Sequence, residues 1–194
     1  KRTELFYRAG GVQDCQTFPE LWETVKFLRL EELFLQTPQR SLEVGCGSGG
    51  VSLYFHDRRG YQVTLADRSD EALAFARRNF AANSRSPQCS PAFLKADAQA
   101  LPLADCSFDL VMSFGLLEHF ADIGPPIAEQ LRVLRPGGLF FADVVTGRFS
   151  VDSFSRFPAR LKRALQDVAR GQWRQVRGLG RPDLYENSLP LSAY

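Results

Sequence analysis

The segment Leu42-Glu43-Val44-Gly45-Cys46-Gly47-Ser48-Gly49-Gly50 constrains the fold more than any other part of the chain. It stands between a short stretch that reads as a buried strand, Ser41–Val44, and a helical stretch, Val51–Arg59, that Gly60 closes. The reading is strand, glycine-rich turn, helix. Glycine lets a backbone turn tightly and approach a ligand with no Cβ in the way. The helix that follows offers N–H groups with no partner inside it. Ligands of such units bind beyond the carboxyl ends of the strands. Two patterns fit the turn. Gly45, Gly47 and Gly50 give G-x-G-x-x-G, the spacing of dinucleotide-binding turns. Glu43, Gly45, Gly47 and Gly49 give E-x-G-x-G-x-G. The residues of the turn leave both open, beside the plainer reading of a turn with no ligand.

Strands and helices continue to alternate. Apolar spacing predicts a helix over Pro19–Gln36, with Leu21, Trp22, Val25, Leu28 and Phe34 on its apolar face and Pro38 as its stop. Gln62–Ala66 reads as a second strand, Ser69–Asn83 as a helix capped by Ser69, and Ala92–Leu94 as a weak third strand. Phe108–Ser113 is a fourth strand. Ile127–Leu134 is a helix that Pro136-Gly137-Gly138 ends with a turn, and Leu139–Val145 is a fifth strand. Strands joined by helices of this length require a parallel sheet covered on both faces. The expected fold is α/β: a doubly wound, mostly parallel sheet in a three-layer αβα sandwich. At 194 residues and 44% apolar content the chain can bury one such core. The expected organisation is a helical cap over residues 1–39, a ligand-binding body over 40–146 and a basic segment over 147–194.

Composition narrows the functional classes. A net charge of +2 is too balanced to imply nucleic acid as a partner. No apolar run is long enough to span a membrane, and the opening Lys1-Arg2-Thr3-Glu4-Leu5 lacks an apolar leader. Cys15, Cys46, Cys89 and Cys106 form no C-x-x-C pair, and the histidines are His56 and His119 alone, so no metal site is expected. Scattered thiols fit a cytoplasmic protein. His56 falls inside a helix and reads as a surface residue.

Two acidic residues stand at strand ends. Asp67 closes the second strand, where a carboxylate accepts hydrogen bonds from both hydroxyls of a ribose. Asp97, in Lys95-Ala96-Asp97-Ala98, closes the third, in place to receive an adenine amino group. Then come Phe108–His119 and Leu134-Arg135-Pro136-Gly137-Gly138. In this order the five segments resemble the class I S-adenosylmethionine-dependent methyltransferases, and within them the small-molecule "methyltransferase type 11" group. The resemblance covers residues 40–145. It implies a Rossmann-like fold, S-adenosyl-L-methionine as methyl donor and S-adenosyl-L-homocysteine as product. By the same resemblance Glu43, Gly45, Cys46, Gly47 and Gly49 line the methionine moiety. Asp67 holds the ribose, with Arg68 beside the adenine. Asp97 and Ala98 meet the adenine ring. Ser113, Phe114 and Gly115 line the sulfonium and the substrate entrance. Each residue also has a plainer reading: Asp67 and Asp97 as helix-start caps, Cys46 as a small residue in a tight loop.

Glu118 and His119 form the candidate acid–base pair, His being the side chain that takes a proton near neutral pH. No Asp/Asn-Pro-Pro-Tyr/Phe follows the fourth strand and no Pro-Cys nucleophile is present, which argues against nucleic-acid bases as acceptors. The expected activity is methyl transfer to a small-molecule acceptor, through an atom (O, N, C or S) that the sequence does not name. The competing classes are a non-catalytic module binding the same cofactor and a nicotinamide-dependent oxidoreductase. Between Arg148 and Arg181, arginines alternate with Phe154, Phe157, Leu161, Leu165 and Val168. This reads as an amphipathic helix, either a lid over an anionic or membrane-surface substrate or a solvated basic face. The resembled family adds a sixth and seventh strand as an antiparallel hairpin. The expectation here is a truncated chain without that hairpin, whose fifth strand, left as an edge, invites a homodimer.

Overall fold

The computed structural model describes residues 18–34, 39–86 and 90–144, with side chains from Thr24 onward. The sequence readings of the basic segment 147–194, of the chain end and of Cys15 and Cys89 lie outside the described residues. The elements are α1 (Phe18–Leu33), β1 (Arg40–Val44), α2 (Gly50–Arg59), β2 (Gln62–Asp67), α3 (Asp70–Asn83), β3 (Ala92–Lys95), β4 (Phe108–Phe114), α4 (Gly124–Val133) and β5 (Leu134–Asp143). The described residues divide between two compact units. One holds those up to Phe114 together with Gly124–Ala142; the other holds Gly115–Ile123 with those from Asp143 onward.

The five strands form one sheet in the order β3-β2-β1-β4-β5. β1 runs parallel to β2 and to β4, and β2 parallel to β3, with Val44 level with Ala66 on one side and Ser113 on the other. The order reverses between β1 and β4, the point where open α/β sheets place their ligands. This is the doubly wound sheet that the alternation predicts.

Side chains on alternate strand positions fill the two faces. Val63, Leu65, Leu110 and Met112 join one cluster with Phe27 and Leu30 of α1 and Phe34 just after it, Leu53 and Phe55 of α2, and Leu73, Ala76 and Phe80 of α3. Leu42, Val44, Ala66 and Val111 are equally buried outside that cluster, and α4 packs on β4. On α1 Phe27 and Leu30 are buried, and Phe34 just past its end is buried as expected, while Val25 and Leu28 are exposed; the side chains of Leu21 and Trp22 lie outside the described residues. The expected face is thus rotated, because the rings of Tyr54 and Phe55 on α2 draw in Phe27 and Phe34, with centroids 4.6 and 4.9 Å apart.

Local signals set most boundaries. Gly60 ends α2 at φ +65°, and the Ser69 hydroxyl accepts the Ala72 N–H at the start of α3. Two details differ from the sequence reading. α4 starts at Gly124 rather than Ile127, since Pro125 and Pro126 sit in a first turn that needs no N–H from them. It ends at Val133, and residues 134–143 form a single strand that Gly137, at φ +76°, interrupts locally. The glycines do not cap the helix: the Cys106 and Ser107 N–H groups donate to the Arg132 and Val133 carbonyls instead. His56 also departs from expectation. It is buried, and Nδ1 donates to the Tyr61 carbonyl at 2.9 Å.

Candidate functional site

The backbone decides between the two glycine patterns. Gly45, Gly47 and Gly49 have φ of +69°, +51° and +66°, while Gly50 opens α2 with no positive φ, and a Cβ added there would meet only Ser48 Oγ at 3.6 Å. The close helix–strand approach that the third glycine of a dinucleotide turn serves is thus not made there. The turn therefore needs glycine at the E-x-G-x-G-x-G positions. A Cβ on Gly49 would lie 2.4 Å from Leu65 Cδ2 and 3.3 Å from the Phe80 ring. A Cβ on Gly47 would meet nothing within 4 Å, so its peptide fronts open space at the carboxyl ends of β1 and β2.

Three partners hold the turn. The Gly45 and Cys46 N–H groups donate to the Ala66 carbonyl at 2.8 and 3.1 Å. The Gly47 N–H donates to Asp67 Oδ2 at 3.0 Å. The Asn79 amide, from α3, donates to the Ser48 carbonyl at 2.9 Å. Beneath them Glu43 is buried and accepts the Ser52 N–H at 3.1 Å. It caps α2 from the neighbouring strand, since Gly49 has no side chain to do so. Burial pushes its carboxyl up to about 7, while the Ser52 hydrogen bond and the Lys26 charge pull the other way. Burial, with the negative charge of Glu43 and Asp67, likewise drives the Cys46 thiol far above the usual range, so it is no nucleophile.

Asp67 is half-buried at the end of β2. Oδ1 accepts the Ser69 N–H at 2.9 Å and Oδ2 the Gly47 N–H at 3.0 Å. It steadies the cap of α3, but Ser69 is the cap. Each carboxylate oxygen retains a second lone pair, enough for a pair of ribose hydroxyls. Arg68, next along the chain, is exposed. Asp97 is exposed and accepts the Gln99 N–H at 2.9 Å within a turn that ends at Ala100, and Ala98 is buried. Ser113 is buried beside Val44, and its hydroxyl has no hydrogen-bond partner among the described residues. Phe114 carries the Lys26 ammonium 4.7 Å from its ring centre.

Gly115, Glu118 and His119 belong to the other unit. Gly115 has φ +60° and donates to the Asp143 carbonyl at 2.9 Å. A short 3-10 helix, Leu117–His119, follows. Glu118 is buried, with Oε1 3.4 Å from where a Gly115 Cβ would stand, and His119 is exposed. The candidate acid–base pair thus occupies two different environments.

Asn79, Lys26, Glu129 and Arg132 matter to this region and escape the sequence reading. Asn79 had a local signal: a polar residue on the buried stripe of α3, with Leu73, Ala76 and Phe80. S-adenosylmethionine fits what is present. The open Gly47 peptide, the remaining lone pairs of Asp67 and the orphaned Ser113 hydroxyl all sit at the carboxyl ends of β2, β1 and β4. A surface hollow lined by Arg40, Gln62, Ala92 and Phe108 lies at the opposite strand ends. Among the described residues no three His, Cys, Asp or Glu gather as metal ligands, and no helix is long and apolar enough to cross a membrane.

Residues 42–142 match the family described as "Methyltransferase domain". The chain is 40% identical over 100 residues to malonyl-(acyl-carrier protein) O-methyltransferase of Enterobacter lignolyticus, covering 52% of this chain and 36% of that protein. It is 33% identical over 161 residues to the ubiquinone/menaquinone biosynthesis C-methyltransferase UbiE of Paracoccus denitrificans, covering 82% and 56%. The chain spans about half the length of the curated relatives it matches. Among solved structures, a SAM-dependent methyltransferase from Methanosarcina mazei superposes with a TM-score of 0.55 at 26% identity, covering 67% of this chain and 64% of that one. The (4+2)-cyclase SpnF superposes with a TM-score of 0.55 at 30% identity, covering 63% and 46%.

Proposed function

The chain belongs to the methyltransferase-domain family, and from that premise we propose that it is the S-adenosylmethionine-binding core of an enzyme that methylates a small-molecule acceptor. One observation carries the reading: three positive-φ glycines at the E-x-G-x-G-x-G spacing, with the middle one bonded to the carboxylate that ends β2. Gly45, Cys46, Gly47 and Gly49 offer their backbone to the methionine moiety, and Glu43 keeps that backbone in place through Ser52. Asp67 receives the ribose hydroxyls. Asp97 accepts the adenine amino group, Ala98 packs on the ring and Arg68 lies beside it. Ser113 and Phe114 serve the sulfonium end, and Gly115 keeps the role its position in the sequence implies. When bound, S-adenosylmethionine supplies an electrophilic methyl group and leaves as S-adenosylhomocysteine. The chain's own contribution is to hold donor and acceptor in line at close range. His119 takes the proton where the acceptor is a hydroxyl or a carbon acid. The names of the relatives include both O- and C-methyl transfer, so carboxyl, hydroxyl and activated-carbon acceptors head the screen.

Isothermal titration calorimetry tests the reading, with S-adenosylhomocysteine as ligand and NAD as control. Micromolar binding of the first alone is the expected result; binding of NAD alone would return the site to the oxidoreductase class. The likeness to SpnF, a named cyclase, supports a second reading, a cofactor-binding domain put to another use. Tight S-adenosylhomocysteine binding with no methyl transfer across the acceptor panel would favour it.

A further inference from the structure

The turn carrying Asp97 and Ala98 begins a connection, residues 96–107, that has no helix or strand of its own. Such a segment becomes rigid only when its N–H and C=O groups find partners. Here they find them on the last turn of α4. Glu129 Oε2 accepts the Leu101 N–H at 2.7 Å. Arg132 uses all five of its donors. Nη2 reaches the Leu101 carbonyl and Glu129 Oε2, each at 2.8 Å. Nη1 reaches the Leu103 carbonyl at 2.8 Å and Asp105 Oδ1 at 2.5 Å. Nε reaches Glu129 Oε1 at 2.8 Å. The helix-end carbonyls of Arg132 and Val133 then accept the Cys106 and Ser107 N–H groups at 3.0 and 2.8 Å. Cys106, the sole non-glycine with positive φ among the described residues, at +53°, sits inside this web. A side chain holds that backbone conformation only where its surroundings impose it. The fork of one arginine therefore determines the path of the connection, and a lysine could not replace it.

We propose that Arg132 and Glu129 are positioning residues for recognition of the adenine base. Through Leu101 they fix the Asp97–Ala100 turn, so that its carboxylate and the buried Ala98 methyl meet the base in one arrangement. The inference rests on the cofactor reading above. Neither residue touches the cofactor, and their effect falls on the choice of base.

The test compares S-adenosylhomocysteine with its deaminated 6-oxo analogue by titration calorimetry on the whole chain. Wild type is expected to bind the amino form about tenfold more tightly, since the analogue leaves the Asp97 carboxylate facing an acceptor. R132Q and E129Q each weaken the amino form by about tenfold and compress the preference below about threefold. Hydrogen exchange quickens at residues 97–107 and not elsewhere. Two controls separate positioning from general stability. V133A thins the core at the same helix end, lowers the melting temperature and keeps the base preference. R132K keeps the charge without the fork and falls between wild type and R132Q. Should R132Q fail to fold, E129Q and R132K carry the test. An unchanged preference in folded R132Q or E129Q overturns the proposal, as does an equal loss in V133A. Wild type that binds both bases alike overturns the proposal and leaves the cofactor reading standing. Wild type that binds neither overturns both.

Discussion

Gly47 and Gly49 stand two positions apart in the same turn, both at positive φ, and differ only in their surroundings. Alanine at either meets the left-handed backbone penalty, about 1–2 kcal/mol. Gly49→Ala must also displace Leu65 and Phe80, and a loss of roughly 2–4 kcal/mol is expected in urea denaturation. Gly47→Ala has room for its methyl and should lose only the backbone share, yet it places that methyl on the open face proposed to receive the cofactor. Calorimetry should therefore find the larger affinity loss in the more stable variant. Asp67→Ala removes both the proposed ribose acceptor and the anchor of Gly47, and about 10–100-fold weaker S-adenosylhomocysteine binding is expected; unchanged affinity would remove Asp67 from the site. Glu43 gives a pH signature. Its folded carboxyl is raised from about 4.5 to about 7, so the folded state prefers the proton. The stability this confers is complete below pH 4.5 and lost as pH rises through 7. Glu43→Gln fixes the neutral form. Between pH 5 and pH 8 wild type should lose roughly 2–3 kcal/mol relative to Glu43→Gln, read from denaturation curves at the two pH values. A constant difference would show that Glu43 does not titrate there.

Helices and strands written in local signals were legible: Ser69 before α3, Gly60 after α2, and the short stretches rich in Val and Leu that form β1, β2 and β4. What escaped depends on partners far along the chain. The end of α4 is set by N–H groups of Cys106 and Ser107, which no pattern near Val133 announces. His56 is buried because the Tyr61 carbonyl and the Phe80 ring close over it, and α2 alone does not reveal that. The candidate site divides in the same way. Its glycines and its two strand-end aspartates could be read directly, since each follows from what a strand-turn-helix unit can do. Which glycine spacing applies needed the φ angles and the room around Gly49 and Gly50. Asn79 could be seen as polar on a buried stripe, but not that it reaches Ser48. Its substitution tests the link between α3 and the turn. Asn79→Ala strands the Ser48 carbonyl, and a loss of about 1–2 kcal/mol in stability is expected, with weaker S-adenosylhomocysteine binding. If stability falls and affinity does not, α3 supports the fold without shaping the turn.

At the scale of the whole molecule, burial sorts the described thiols. Cys46 is buried beneath the glycine turn with its thiol held protonated, and Cys106 is exposed. Native alkylation followed by peptide mass mapping should label Cys106 promptly and Cys46 only at the rate of unfolding. Rapid labelling of Cys46 would mean that the turn opens without global unfolding. The alternation of strand and helix was enough to foresee the doubly wound sheet, because few other arrangements bury both of its faces. The strand order carries a consequence for descent. On the reading proposed above, the residues that meet the donor follow one another from Glu43 to Gly115, at the carboxyl ends of four strands that adjoin in space. On that reading the donor contacts form one uninterrupted run of sequence, braced from α4 by Arg132 and Glu129, so a lineage that keeps that helix end can vary what serves the acceptor while the older half of its chemistry stays intact.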